Sequence, residues 1–136
     1  MSVTLDTNIY VSALEFGGIG ARLLGMAHAG SLRIDVSDAI LDELVAVLRD
    51  DFAWEGYRLH VLREQIGKIT NRITPTRRLD VVKDDPDDNR ILECAVAAGS
   101  EFILTYDKDL LRLGHYGDIK IVNAAAFLKS SQGKPQ

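Results

Sequence analysis

Four carboxylate side chains lie at positions where a chain of alternating strands and helices usually places its functional residues. Asp6 follows the first apolar segment in the motif LDTN, and Asp107 follows the apolar segment FILTY. Glu43 and Asp88 lie on the inner stripes of two helical segments. Carboxylate oxygens without cysteine or histidine beside them favour Mg²⁺ or Mn²⁺ over zinc. The sequence therefore predicts a site for a hard divalent cation.

The chemistry expected of such a cluster is hydrolytic. Two carboxylates about 5 Å apart repel by roughly 3 kcal/mol at an effective dielectric of 20, so a group of them either protonates in part or binds cations. A Mg²⁺ ion held by few carboxylates keeps several waters, and one of these can be activated to attack a phosphodiester.

Helical phase separates Glu43 from its acidic neighbour. Glu43 shares a stripe with Ile40 and Val47 at the border of the apolar side of its helix, whereas Asp42 falls on the outward face. A glutamate at that border is costly unless it is paired or metal-bound. The alternative is a glutamate whose carboxylate extends from the edge of the stripe into solvent.

The same reasoning selects Asp88 within an acidic run. Asp88 precedes the apolar pair Ile91-Leu92 by three and four residues, so it points inward from the first turn of its helix. Asp87 is then the expected N-cap. Because Asp84 and Asp85 lie in the same run, the segment is better determined than the residue.

Asp6 and Asp107 have a simpler alternative role. Each precedes a helical segment, so each could serve only as a helix N-cap or turn residue. Asn8 could supply a neutral oxygen ligand or orient Asp6. Asp109 is the competing acid beside Asp107, and its position suits a solvated residue of a first helical turn.

Strands and helices are predicted to alternate along the chain. The predicted strands are Ser2 to Leu5, Leu32 to Val36, Leu79 to Val82, Phe102 to Tyr106 and Ile119 to Val122. The predicted helices are Ile9 to Leu14, Ala21 to Ala29, Ser37 to Arg49, Tyr57 to Asn71, Asp88 to Ala98, Lys108 to Leu113 and Ala124 to Leu128.

This alternation predicts an α/β protein with helices on both faces of its sheet and right-handed crossovers. We expect a single three-layer α/β/α domain over residues 1–129, with a central, mostly parallel sheet of four or five strands. Residues 130–136 are polar, and we expect them to form a disordered tail. Functional residues of open α/β sheets gather beyond the carboxyl ends of the strands, where the four acids fall.

Charge and composition exclude several classes of protein. The chain has 20 acidic and 16 basic residues, and the four acids equal this excess. The remainder lacks the strongly basic face of a protein that holds duplex DNA through its phosphates. Cys94 is the single cysteine, which rules out an internal disulfide and fits a reducing compartment. No apolar run approaches the roughly 20 residues of a membrane span, and the N-terminus does not follow a secretory signal pattern. We therefore expect a cytoplasmic protein without membrane contact.

The ordered set of motifs resembles the PIN-domain family of metal-dependent ribonucleases, including the VapC-like toxins of bacterial and archaeal toxin–antitoxin pairs. The matching segments are Leu5-Asp6-Thr7-Asn8, Asp42-Glu43-Leu44 with Val47-Leu48, Asp85-Pro86-Asp87-Asp88-Asn89 with Leu92 and Ala95, and Thr105-Tyr106-Asp107-Lys108-Asp109-Leu110-Leu111. The match runs in order from about Val3 to Leu128.

The resemblance implies a PIN-like fold and a set of site residues. The catalytic and metal-binding acids would be Asp6, Glu43, Asp88 and Asp107, with Asn8 and Thr105 as supporting polar residues. It further implies one or two Mg²⁺ or Mn²⁺ ions, a single-stranded or loop RNA substrate, a homodimer and a small antitoxin partner.

Two features near this site depart from the simplest picture. Tyr106 occupies a position where the family often has glycine or another small residue, so its ring could narrow access to the site. The candidate phosphate contacts are isolated basic residues, which are more typical of solvated surface: Arg22, Arg90, Lys108 and Arg112.

Two other functions remain open at this stage. A phosphoacceptor receiver domain is also a small α/β fold with an acidic Mg²⁺ pocket. It would need an acidic pair after the first strand, where Asp6 stands alone, whereas Glu43 and Asp88 lie on helices. A catalytically silent PIN-fold binding module would keep the fold without the reaction, and the presence of all four acids argues against it.

Overall fold

Six strands form one sheet in the computed structural model, which describes residues 1–133. The strands are β1 (Ser2–Leu5), β2 (Arg33–Val36), β3 (Asn71–Arg72), β4 (Phe102–Thr105), β5 (His115–Tyr116) and β6 (Ile119–Asn123). The helices are α1 (Thr7–Phe16), α2 (Gly18–His28), α3 (Asp38–Phe52), α4 (Gly56–Ile69), α5 (Asp88–Ala98), α6 (Lys108–Leu113) and α7 (Ala124–Gly133). The alternation confirms the predicted α/β class.

The sheet is mostly parallel, as predicted. Its strand order is β3-β2-β1-β4-β6-β5. Every neighbouring pair is parallel except β5 and β6, which form an antiparallel hairpin. β1 and β4 therefore lie side by side in the middle of the sheet, and their carboxyl ends point to the same edge.

Helices cover both faces of this sheet. Thr4 of β1 faces α5, where its hydroxyl lies 3.8 Å from the Sγ of Cys94. Val3 points to the opposite face, since successive side chains of a strand alternate. It pairs with Phe102 of β4, whose ring packs edge-on against Phe127 of α7 with 5.3 Å between the centroids. The three-layer α/β/α architecture is therefore confirmed.

The glycine-rich segment between α1 and α2 is a close turn. Gly17 alone lies between the two helices, and its φ of +76° is one that glycine adopts readily. Gly20 lies where the helices touch: a Cβ there would be 2.6 Å from the carbonyl oxygen of Ile9 and 2.8 Å from the Cβ of Ala13. The absence of a side chain at Gly20 therefore permits the close packing of α2 on α1.

The expected count of four or five strands is corrected to six, because two strands at the edges of the sheet were not predicted. β3 and β5 contain only two residues each. Segments this short cannot show the apolar alternation from which strands are recognised. β5 pairs with β6 around Gly117, whose φ is +59°.

The predicted strand Leu79 to Val82 is wrong. The segment is irregular, and its backbone N–H groups donate to side chains of α5. Leu79 and Val82 are nevertheless buried. Their apolar character therefore reflects burial against the core and not membership of the sheet.

The last helix extends into the predicted tail. α7 runs as Ala124–Gly133, so residues 130–133 are helical, and residues 134–136 lie outside the described part of the chain. None of the helices described in residues 1–133 is long and apolar enough to cross a membrane.

Candidate active site

The site begins where β1 and β4 end. Leu5 lies opposite Leu104 in the parallel pairing of these strands. The pairing continues by one step, because the backbone N–H of Asp6 donates to the carbonyl oxygen of Leu104 at 3.0 Å. Asp6 and Asp107 thus leave adjacent strands at the same edge of the sheet.

Thr105 joins these two acids. Its hydroxyl donates to Oδ2 of Asp6 at 2.8 Å and accepts from the backbone N–H of Asp107 at 2.9 Å. Thr105 is fully buried. A buried hydroxyl that is used as both donor and acceptor fixes the spacing of the groups on either side of it.

Asp6 and Asp107 are also the N-caps of the helices that follow them. Oδ1 of Asp6 accepts from the backbone N–H of Asn8 at 3.4 Å, and Oδ1 of Asp107 accepts from that of Asp109 at 2.8 Å. The cap and the cluster are compatible, because a cap uses only one of the two carboxylate oxygens. Asn8 contributes its backbone to this arrangement, and the residue itself is exposed.

Asp88 completes a compact group of three carboxylates. Asp6, Asp88 and Asp107 each offer one oxygen, and these oxygens all lie within 4.8 Å of one another. Asp88 is only 5% exposed, and its Oδ2 is buried without a hydrogen-bond partner. This burial agrees with the inward orientation inferred from helical phase. Asp87 occupies the N-cap position of α5 but makes no capping hydrogen bond through its side chain.

The crowding and burial of these acids raise the pKa of two of them. Burial raises the pKa of Asp88 to about 8, together with a hydrogen bond that its protonated form can donate to Asp107 and the negative charges of Asp107, Asp85 and Asp6. Burial also raises the pKa of Asp6, although the hydrogen bond from Thr105 opposes this change. A buried oxygen without a partner among converging carboxylates suits a divalent cation, which would relieve the repulsion that otherwise favours protonation.

Glu43 lies beside this group and outside its 4.8 Å limit. The hydroxyl of Thr7 donates to its Oε2 at 3.1 Å. Burial raises the pKa of Glu43, the hydrogen bond from Thr7 lowers it, and nearby aspartates including Asp6 raise it further. Asp42, the next residue, is exposed and pairs with Arg63 at 2.9 Å. Glu43 therefore faces the cluster while Asp42 faces solvent, as helical phase predicts.

Two residues of the site were not singled out from the sequence. Thr7 holds Glu43, and Asp85 is a partly buried acid whose charge raises the pKa of Asp6, Glu43 and Asp88. Asp85 lies in a loop, where helical phase gives no information about orientation. The acidic run itself was the only signal for it.

Asn89 holds the loop that carries Asp85. Its Oδ1 accepts from the backbone N–H groups of Val81 at 2.8 Å and Val82 at 2.9 Å. Its Nδ2 donates to the carbonyl oxygens of Val82 at 2.9 Å and Pro86 at 3.0 Å. Since Asn89 follows Asp88 directly, one helical turn both supplies an acid and anchors the neighbouring loop.

Arg90 and Glu93 anchor the start of the same loop. They form an ion pair at 2.9 Å. Glu93 accepts from the backbone N–H of Leu79 at 2.7 Å, and Arg90 donates to the carbonyl oxygen of Leu79 at 3.1 Å. Arg90, a candidate phosphate contact in the sequence, is therefore part of the scaffold. Arg112 remains exposed, with a 3.4 Å contact to Asp109.

A groove of about 310 Å³ opens between this loop and α6. Val81 and Leu113 contribute apolar surface to it, and Lys83 and Arg112 contribute positive charge. Its size is at the lower end of the range for small-molecule pockets. Asp84 and Asp109 also line it, so the groove adjoins the acidic site through the chain neighbour of Asp85 and the residue whose backbone N–H donates to Asp107.

Comparisons with known proteins agree on the fold. Residues 2–109 match the family model described as the PIN domain. No curated protein gives a significant sequence match. Among solved structures, the chain is similar to one in the structure of VapBC-1 from nontypeable Haemophilus influenzae, with 15% identity and a TM-score of 0.62. The similarity covers 92% of this chain and 99% of that chain. The family model spans most of the sequence and includes all four acids, and the chain therefore belongs to the PIN domain family.

Proposed function

We propose that this PIN domain is a metal-dependent endoribonuclease that hydrolyses single-stranded or loop RNA, and that it is the toxin of a toxin–antitoxin pair. The observation that carries the proposal is the convergence of Asp6, Asp88 and Asp107 within 4.8 Å at the carboxyl edge of the sheet. Membership of a family whose members are generally nucleases supports the same reaction.

The acids would hold one or two Mg²⁺ or Mn²⁺ ions. Asp6, Asp88 and Asp107 offer oxygens at close range, and Glu43 stands beside them. An ion bound there supplies a Lewis acid that lowers the pKa of water and neutralises charge on a phosphodiester. The buried, unpartnered Oδ2 of Asp88 supports a hard cation as the missing partner.

The chain's own residues would orient these groups before a substrate binds. Thr105 and the backbone of Asn8 fix the carboxylate of Asp6, and the backbone of Asp109 fixes that of Asp107. Such preorganisation lowers the cost of arranging charges during the reaction. Glu43, held by Thr7 through Oε2, would keep its other oxygen for a ligand or for a proton of the attacking water.

We further propose a cytoplasmic protein that forms a homodimer and binds a small antitoxin. The similarity to a chain of the VapBC-1 structure supports the antitoxin. A second groove of about 990 Å³, between α2 and α4, supports a protein partner as well. Its described lining combines apolar residues such as Leu24 and Ile69 with the basic side chain of Lys68 and includes no carboxylate; Arg33 also lines it but is paired with Asp35 at 2.8 Å. An apolar segment with acidic flanks would suit it.

Membership of the PIN family is incompatible with the receiver-domain alternative. A catalytically silent binding module is the remaining alternative. It would retain the fold and both grooves but would not cleave RNA.

The test is cleavage of a mixed pool of single-stranded RNA by the purified chain, freed of any bound partner, in Mn²⁺, in Mg²⁺ and in EDTA. We expect cleavage with at least one metal and none in EDTA. Glu43→Gln should lower the rate by about 10²-fold or more, as for loss of a group that moves a proton. The matched control is Asp42→Asn, which removes the adjacent exposed carboxylate and should leave the rate unchanged.

RNA that stays intact with both metals would refute the nuclease and leave the binding module. A loss in Asp42→Asn with an unchanged rate in Glu43→Gln would show that helical phase selected the wrong acid.

A further inference from the structure

A large aromatic residue is the immediate chain neighbour of two residues of the acidic site. Tyr106 is 45% exposed, although tyrosine has enough apolar surface to favour burial. It stands between Thr105, which donates to Asp6, and Asp107, which belongs to the carboxylate group. Nothing in the proposed hydrolysis uses this ring.

The backbone on both sides of Tyr106 is fixed relative to the acids. The hydroxyl of Thr105 accepts from the N–H of Asp107 at 2.9 Å, which closes a tight loop around Tyr106. Asp107 then caps α6 through its contact with Asp109 at 2.8 Å. The ring therefore starts from a defined point next to the site, as a preorganised contact requires.

The charges of this region are poorly suited to holding RNA through its phosphates. The chain has a net charge of −4, and Asp85 and Glu43 add negative charge beside the three clustered aspartates. Arg90 is occupied by Glu93, and Arg112 contacts Asp109. Lys108 is exposed beside Asp107 and is one positive charge near these acids, so contacts that do not depend on phosphate charge would add to the binding of RNA. Stacking of a base on an aromatic ring is such a contact, and it accepts any base because every base has a π-face.

We propose that Tyr106 stacks on a nucleobase next to the scissile phosphate. This inference rests on the proposed ribonuclease function and sharpens its substrate class. A base can stack on a side chain only when it is free of its own strand neighbours, so the ring selects unpaired, unstacked nucleotides over duplex RNA. The contact requires the tyrosine that this chain has at position 106, because a small residue there would have no ring.

The first experiment compares cleavage of a short single-stranded RNA by wild type, Tyr106→Phe and Tyr106→Ala in Mn²⁺. Tyr106→Phe keeps the ring and should behave as wild type. Tyr106→Ala should raise KM by about 5- to 150-fold, the range that corresponds to loss of one base–aromatic stack, with a smaller change in kcat. Tyr57→Ala is the matched control, because Tyr57 is 82% exposed on α4, outside the acidic group, and should not change KM.

The second experiment pairs each variant with RNAs that carry one abasic nucleotide, placed in turn at each position around the cleaved bond. With the wild-type protein, affinity for RNA should fall when the abasic nucleotide is at one particular position. With Tyr106→Ala, the abasic nucleotide at that position should cause no further loss of affinity, because the ring and the base form a single contact. If the two losses multiply at every position, the ring does not touch a base and the inference fails.

Binding of the same RNAs to the metal-free protein, followed by fluorescence anisotropy, separates this inference from the proposed function. A chain that binds RNA through Tyr106 but never cleaves it would support the stacking contact and refute the nuclease. A chain that cleaves RNA with an unchanged KM in Tyr106→Ala would refute the stacking contact alone. Loss of a co-purifying protein in Tyr106→Ala, with RNA cleavage and binding intact, would identify the ring as a protein contact and also overturn the inference.

Discussion

At the residue scale, single carboxylates serve structure and site together. Asp6 and Asp107 each use Oδ1 to cap a helix, and both also offer an oxygen to the carboxylate group. The cap orients the side chain at little cost, since an aspartate N-cap is favourable in itself. The N-cap role and the ligand role are therefore compatible in one aspartate, and sequence reasoning does not need to choose between them.

Asp88 differs because its burial within the cluster strongly disfavours its ionised form. Its pKa is raised to about 8, above the ordinary value of 3.8, mainly by burial. In the metal-free protein the folded state therefore binds more protons than the unfolded state between these values. Stability conferred by this proton is present at low pH and is lost as the pH rises through this window.

We predict that wild type in EDTA unfolds at a lower temperature at pH 8 than at pH 5, with a limiting loss of about 1.4 kcal/mol per pH unit for one proton. Asp88→Asn should remove most of this dependence, and thermal melts followed by circular dichroism would measure it. Asp84→Asn, an exposed acid of the same loop, is the control and should retain the dependence. Added Mn²⁺ should raise the melting temperature of wild type at pH 8 more than that of Asp88→Asn. A wild type as stable at pH 8 as at pH 5 in EDTA would contradict the assigned burial of Asp88.

At the element scale, one segment shows why strands cannot always be read from apolar residues. Leu79 and Val82 have the burial of a strand, but their backbone bonds go to Glu93 and Asn89 of α5. No local sequence pattern predicts these backbone-to-side-chain hydrogen bonds, because the polar side chains that accept them lie several residues later in the chain. The helices, by contrast, were largely predictable from their apolar stripes.

This segment leads to a prediction for Asn89. Asn89→Leu would leave the backbone groups of Val81, Val82 and Pro86 without their partners. Because each buried polar group left unsatisfied costs about 1–3 kcal/mol, the free energy of unfolding should fall by more than about 2 kcal/mol in urea titrations. Asn8→Ala removes an exposed amide and should change it by less than about 0.5 kcal/mol. A neutral Asn89→Leu would show that the loop does not depend on this clamp.

At the scale of the whole molecule, topology assembles the site from distant parts of the sequence. Strand–helix alternation predicts that Asp6 and Asp107 meet, because β1 and β4 are parallel neighbours with their carboxyl ends at one edge. Helical phase adds Asp88 and Glu43 with the correct faces. The sequence could not predict that three acids form a tight group with Glu43 beside it, since side-chain separations depend on the packing of α3 and α5. The two short edge strands could not be predicted from the sequence either.

The central claim is that the converging acids hold a metal for RNA cleavage, and Asp6→Asn tests it most directly. Asparagine keeps the size of the side chain and is an equally good N-cap, so the fold of α1 should persist. The measurement is the single-turnover cleavage rate of single-stranded RNA in Mn²⁺, with Mn²⁺ affinity determined by calorimetry on the same preparations. We predict that Asp6→Asn lowers the rate by more than about 10²-fold and weakens Mn²⁺ binding, while Asp84→Asn changes neither. Cleavage by Asp6→Asn at the wild-type rate, with the same need for Mn²⁺, would contradict the account.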